Sequence, residues 1–241
     1  ITGIEAIAPR ILLERSAKGQ ENWVFGGSSG GEVTTATPGV GKPFTMDKAI
    51  FSGGALTFID HKAGTRVELT QIEAAVTIPD YVGRAQMDMA AVMNGQAFKA
   101  AMTVGAFQKF LDGRVVPMDL VLTAGKADLA FSGRAGHAPL EAEGDLTADM
   151  GDLAAVAALA GAAAPKLPEG MGARDVQVKG KLTVTSKGSL HLRGGAVGLD
   201  GNSFAMDADL TTAGERPKLS ATVTAGALDL AGLSGGEGGG S

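Results

Sequence analysis

The sequence predicts an all-β fold, mainly antiparallel, laid out as a long up-and-down sheet with one or two short helices. Three observations predict it. Apolar and polar residues alternate with a period of two: Leu140, Ala142, Gly144, Leu146 and Ala148 interleave with Glu141, Glu143, Asp145, Thr147 and Asp149. Val176, Val178, Leu182 and Val184 interleave with Gln177, Lys179, Lys181 and Thr183 in the same way. Successive strand side chains point to opposite faces, so each such run has one wet and one apolar face. Turn signals separate the runs at short intervals, as at Asn94–Gly95, Ala124–Gly125, Lys187–Gly188, Asp200–Gly201 and Ala213–Gly214. Finally, helical periodicity is confined to two places, which argues against a βαβ pattern and a parallel sheet.

Taken in order, residues 1–25 read as the end of a β segment, a short strand pair with Ile11 and Leu13 pointing one way, a turn at Ser16–Gln20, and Trp23 and Phe25 as aromatic anchors. Residues 26–45 are rich in Gly, Ser, Thr and Pro and read as a linker. Residues 46–150 form the first part of the sheet. Ala49–Ser52, Ala55–Asp60 and Arg66–Ile78 read as consecutive strands. In the third, the apolar phase slips from Val67 and Leu69 to Ile72, Ala74, Val76 and Ile78, which predicts a bulge near Thr70–Gln71. Ala85–Val92 and Gln96–Val104 make a hairpin around Asn94–Gly95. Phe107, Phe110 and Leu111 fall at helical spacing, closed by Gly113. Met118–Thr123, Lys126–Ser132 and Leu140–Asp149 follow as strands.

Residues 151–233 form the second part. Asp152–Ala163 reads as a helix, with an Asp at its start, an apolar stripe at Leu153, Val156 and Ala160, and Pro165 beyond its end. Arg174–Thr185, Ser189–Arg193, Ala196–Asp200, Ser203–Thr211 and Pro217–Thr224 read as strands. Residues 234–241 are a Gly-rich linker, and both ends of the chain read as cuts through a longer polypeptide.

Hydrophobic residues make up 44% of the chain but aromatics only 5%, so the apolar faces are smooth and aliphatic. The net charge of −5 leaves no basic footprint for nucleic acid. The absence of Cys excludes disulfides and thiolate chemistry. The longest apolar run, Leu153–Ala164, is shorter than the ~18 residues that a membrane-spanning helix needs. One Trp and one Tyr cannot supply the aromatic girdles of a membrane barrel.

The search for chemistry yields no catalytic or metal-ligating constellation and no cofactor motif. His61, His137 and His191 lie far apart and none has a ligand at metal spacing. Gly39-Val40-Gly41-Lys42-Pro43 departs from a phosphate loop: Ala36 stands where the first Gly belongs, and Pro43 where the Ser or Thr belongs. The Gly26–Gly31 cluster has no following helix to present amides to an anion. Glu141, Glu143, Asp145 and Asp149 alternate as the outer face of a strand rather than pairing as glycosidase acids. Lys179 and Lys181, outward on a later strand, are placed to meet acids across it. The reading is therefore not an enzyme.

Several stretches resemble the AsmA family. They are Pro9-Arg10-Ile11-Leu12-Leu13-Glu14-Arg15 with Gly19 and Asn22-Trp23-Val24-Phe25, and Gly53-Gly54-Ala55-Leu56-Thr57-Phe58-Ile59-Asp60 with Gly64 and Glu68-Leu69-Thr70-Gln71-Ile72. Phe110-Leu111-Asp112-Gly113, Val116-Pro117-Met118-Asp119-Leu120 and Phe131-Ser132-Gly133 continue the likeness, as do Arg216-Pro217-Lys218-Leu219 and Leu228-Asp229-Leu230. The resemblance implies a periplasmic protein of Gram-negative bacteria, tethered to the inner membrane by an N-terminal helix that this chain lacks. It implies a long curved β-sheet forming an open hydrophobic groove, a role in outer-membrane biogenesis and lipid transport, and phospholipids or other acyl lipids as partners beside other envelope proteins. The groove lining would be Leu120, Leu122, Leu129, Phe131, Leu140, Leu146, Val176, Val178, Leu182, Val184, Phe204, Met206, Leu219 and Val223. The competing expectation is a closed β-sandwich serving as a binding, adhesion or assembly module without lipid, in which two apolar faces cover one another.

Overall fold

The computed structural model describes residues 3–22, 45–167, 171–212 and 216–226. The expected linker at 26–45, save Thr45, the expected linker at 234–241, the anchors Trp23 and Phe25, and the turn at Ala213–Gly214 lie outside the described residues.

All thirteen described strands belong to one long, curved, open sheet, mostly antiparallel. In chain order they are β1 (Ile4–Ile7), β2 (Arg10–Arg15), β3 (Met46–Asp60), β4 (Thr65–Ile78), β5 (Ala85–Met93) and β6 (Gln96–Val104). After α1 (Phe107–Leu111) come β7 (Val116–Ala124), β8 (Ala127–His137) and β9 (Leu140–Met150). After α2 (Leu153–Leu159) come β10 (Val176–Val184), β11 (Ser189–Leu199), β12 (Asn202–Thr211) and β13 (Lys218–Ala225). From β3 to β13 each strand pairs antiparallel with the next, as tight turns favour. No second sheet is formed among the described residues, so the two-layer sandwich is not the architecture. The two parts of the sheet are continuous, since β9 and β10 pair from Gln177–Asp149 to Val184–Ala142.

The first edge departs from the meander. β1 and β2 do not pair with each other; both run parallel to β3, interrupted at Ala8–Pro9 where β3 bulges at Gly53. Ala49–Ser52 and Ala55–Asp60 are accordingly one strand, because Gly53 (φ 63) absorbs the extra residue without ending the ladder. Ser189–Arg193 and Ala196–Asp200 merge for the same reason into β11, with Gly194 at φ 57. The bulge expected in β4 is present: Gln71 has φ 51 and the register with β5 shifts between Thr70 and Glu73.

The hairpin tip Asn94–Gly95 has positive φ at both residues (51 and 78), the requirement of a type I′ turn. α2 is shorter than Asp152–Ala163. The Asp152 carboxylate accepts from Ala155 N–H at 2.9 Å as an N-cap, but Gly161 at φ 67 stops the helix well before Pro165. Ala155 packs with Ile72, Ala91, Phe98 and Ala124 in the main buried cluster, so α2 borders one long rim of the sheet. α1 borders the other rim. Its N-terminal amides are held by the loop after β4, Phe107 N–H to Gly83 O and Gln108 N–H to Tyr81 O, and Tyr81 meets Phe107 edge-on.

Candidate functional site

Cross-strand register decides which side chains share a face. One row runs Met87–Met102–Leu120–Phe131–Leu146, and the next runs Met89–Ala100–Leu122–Leu129–Ala148–Val178–Val197–Phe204. A third runs Ala135–Ala142–Val184–Leu190–Leu210–Leu219. Leu182 and Val176 lie on the same side by alternation, as do Met206 and Val223, which face each other, and Leu140 opposite His137. The structure therefore brings every lining residue expected from sequence onto a single face. Most are half-buried; Leu140 (65% exposed) sits at a rim, while Leu219 (73%) and Val223 (54%) lie on the last described strand. Sequence reasoning omitted Met87, Met89, Met102, Leu190, Leu192 and Val197 from this face, although the same alternation marks them.

The face is concave across β8–β11, and glycines make it so. Gly133 and Gly144 are paired on it. A Cβ at Gly133 would lie 2.3 Å from Glu143 O, and one at Gly144 would lie 2.4 Å from Ser132 O. A Cβ at Gly195 would lie 2.3 Å from Met206 O, and one at Gly180 would lie 2.8 Å from Leu192 Cδ1. In an ordinary pleat, opposed Cβ atoms stay about 4.5–5.5 Å apart. Approaches this close mean that neighbouring strands fold toward the apolar side, along a crease that only Gly accommodates. Phe131 shows the effect: its ring lies over the Gly144 site and is only 7% exposed, although no other sheet covers it among the described residues. Glycine at the apolar phase of successive strands was the sequence signal for this crease.

The opposite face is polar and carries the expected charges outward. Lys181 Nζ meets Asp145 at 3.2 Å, while Lys179 pairs in register with Thr147. His191 is not isolated: its Nδ1 bonds the Asp209 carboxylate, which Arg193 also contacts. His61 bonds Glu14; His137, which pairs with Leu140 at the α1 rim and not on this face, bonds the Phe110 carbonyl through Nε2. Among the described residues no group of three His, Cys, Asp or Glu could hold a metal ion. A shallow depression of about 510 Å³ lies on this polar side between β3 and β7, where Ile50, Ala75, Ala101 and Val121 adjoin Glu73, Asp88 and Lys99. Hydrocarbon placed there would desolvate those charges, so its chemistry differs from that of the apolar trough. The Gly-x-Ser-x-Gly spacing of a nucleophile elbow occurs at Gly26–Gly30, inside a Gly-Ser run, and lies outside the described residues, as does Gly39–Pro43.

One carboxylate stands out electrostatically. Asp200, in the β11–β12 turn, accepts from the N–H groups of Gly172, Ala173, Arg174 and Asp175 at 2.9–3.1 Å. Desolvation pushes its carboxyl up, but the four donors outweigh that and bring it down to about 2. It pins the segment after α2 to the sheet. Nearby Asp175 is pushed up by desolvation and by the Asp149 and Asp200 carboxylates.

Comparison with family models, curated proteins and solved structures finds no match to this chain.

Proposed function

We propose that the apolar trough shields lipid acyl chains, and that the chain is a periplasmic segment of an AsmA-like protein moving phospholipid between the inner and outer membranes. A sixteen-carbon chain in water costs about 12 kcal/mol, at ~0.8 kcal/mol per CH2. A continuous apolar wall removes most of that barrier while the headgroup stays in water. Leu, Val, Ala and Met side chains suit sliding, since none forms a deep pocket that would trap the chain. The observation that carries this reading is the uncovered face itself. A row of apolar side chains crosses from β5 to β12 with no second sheet over it among the described residues; α2 packs on this face only at the rim, against the cluster that Met89, Ala100 and Leu122 adjoin. An exposed apolar surface of that extent marks a binding face. The resemblance in the quoted Gly, Asp and Leu motifs supplies the envelope setting.

A photo-crosslinking residue tests this directly. At Leu146 or Val178 it should trap phospholipid, and at Glu143 or Lys179, on the other face, it should not. Equal labelling at all four positions would sink the proposal.

A further inference from the structure

Adjacent strands run in opposite directions, so alternate turns line the same long rim of the trough. On the rim bordered by α1, the turns carry Arg84, Lys109, Arg114, Lys187 and Arg216, and β13 begins there with Lys218. All six are exposed. Among the described residues none of them is in an ion pair; Arg84 reaches only Thr103 Oγ1, at 3.4 Å. The described carboxylates along that rim are Asp80 and Asp112 in the turns and Asp47 and Glu141 in the first residues of β3 and β9, fewer than the six cations and Lys48 beside them. The opposite rim is near balance, with Lys62, Lys126, Lys166 and Arg174 against Asp152, Asp175 and Asp200. This asymmetry sits in a chain whose net charge is −5. A row with an excess of cations repels itself and attracts anions from solution.

We propose that this basic rim takes the phosphate of an anionic phospholipid whose acyl chains lie along the trough. The inference rests on the preceding reading, that the trough holds hydrocarbon, and adds the headgroup class. The two features complement an amphiphile in the right order: apolar wall, then a line of cations at the water boundary. Lys and Arg bind phosphate oxygens through charge-assisted hydrogen bonds, which a zwitterionic headgroup offers with less net attraction.

The test incubates the full chain with vesicles of phosphatidylcholine containing an acyl-labelled fluorescent lipid, either phosphatidylglycerol or phosphatidylcholine. Protein is then separated from vesicles and the label per protein is measured. The wild type should retain phosphatidylglycerol over phosphatidylcholine by about tenfold at low salt. The quadruple variant Lys109→Gln, Arg114→Gln, Lys187→Gln, Lys218→Gln alters only exposed side chains, and circular dichroism checks its fold. It should bring the ratio within about twofold while leaving phosphatidylcholine uptake unchanged. Equal uptake of both lipids by the wild type would overturn the headgroup inference and leave the trough reading standing. A variant that loses vesicle binding but keeps the same lipid ratio would assign the rim to docking on a bilayer instead, and also overturns it. Uptake of neither lipid would overturn both readings.

Discussion

Asp200 shows how one side chain can hold an irregular segment on a sheet. Its four N–H donors belong to consecutive residues, all of which precede the ladder of β10. Because its folded pKa is depressed to about 2 from the ordinary aspartate value of 3.8, it contributes stability that is fully present above pH 4. That contribution is lost as pH falls through about 2. Asp175 acts with the opposite sign: its raised pKa means that ionising it as pH rises works against folding. Asp200→Ala is expected to lower the Tm at neutral pH, and its gap from wild type should narrow between pH 4 and pH 2. Thermal unfolding across that range checks both points; a gap independent of pH would assign the effect to packing.

At the scale of the element, the strands β8 to β11 are shaped by what they lack. Gly133, Gly144, Gly180 and Gly195 let four neighbouring strands bend toward the apolar side. A side chain at Gly144 must displace the Ser132 carbonyl and the Phe131 ring together. Gly144→Val is therefore expected to destabilise by about 1–3 kcal/mol, as overpacking does, and to raise the exposure of Phe131 by flattening the sheet. Urea unfolding gives the first quantity and side-chain NMR of Phe131 the second. A neutral Gly144→Val would mean that the bend does not depend on the crease. The bulges at Gly53, Gln71 and Gly194 act differently: each absorbs one residue and keeps the apolar phase on the same face beyond it.

For the whole molecule, the consequence is a sheet whose main apolar face lacks a protein partner across much of its width among the described residues. Stability then comes from the continuous backbone ladder, from side-chain crowding in the bend, and from the cluster around Phe98 and Ala155. A charge placed in mid-trough should harm cargo more than fold. Leu146→Lys is half-buried and able to extend its stem toward water, so the Tm should change little. Retained lipid should fall by about tenfold, because hydrocarbon would have to desolvate the ammonium. Native mass spectrometry of the detergent-free protein gives the lipid content; a loss of Tm without loss of lipid would contradict the trough reading.

The sequence by itself determined that the chain is built of strands, the apolar phase of the runs it marked and the face that their residues join. A period of two is a local property, and every residue expected to line the trough does share one face. It also located the Gln71 bulge, because a phase slip is visible in the order of residues. It did not determine where a ladder survives an interruption: Gly53 and Gly194 look like breaks locally, and only pairing with β4 and β12 keeps the strands whole. Nor did it determine the parallel edge of β1 and β2 or the basic rim, since both join residues far apart in the chain. Only the tertiary structure decided that the apolar faces turn inward on a glycine crease without meeting a second sheet among the described residues, because curvature arises from backbone approach between strands and not from any one strand's pattern.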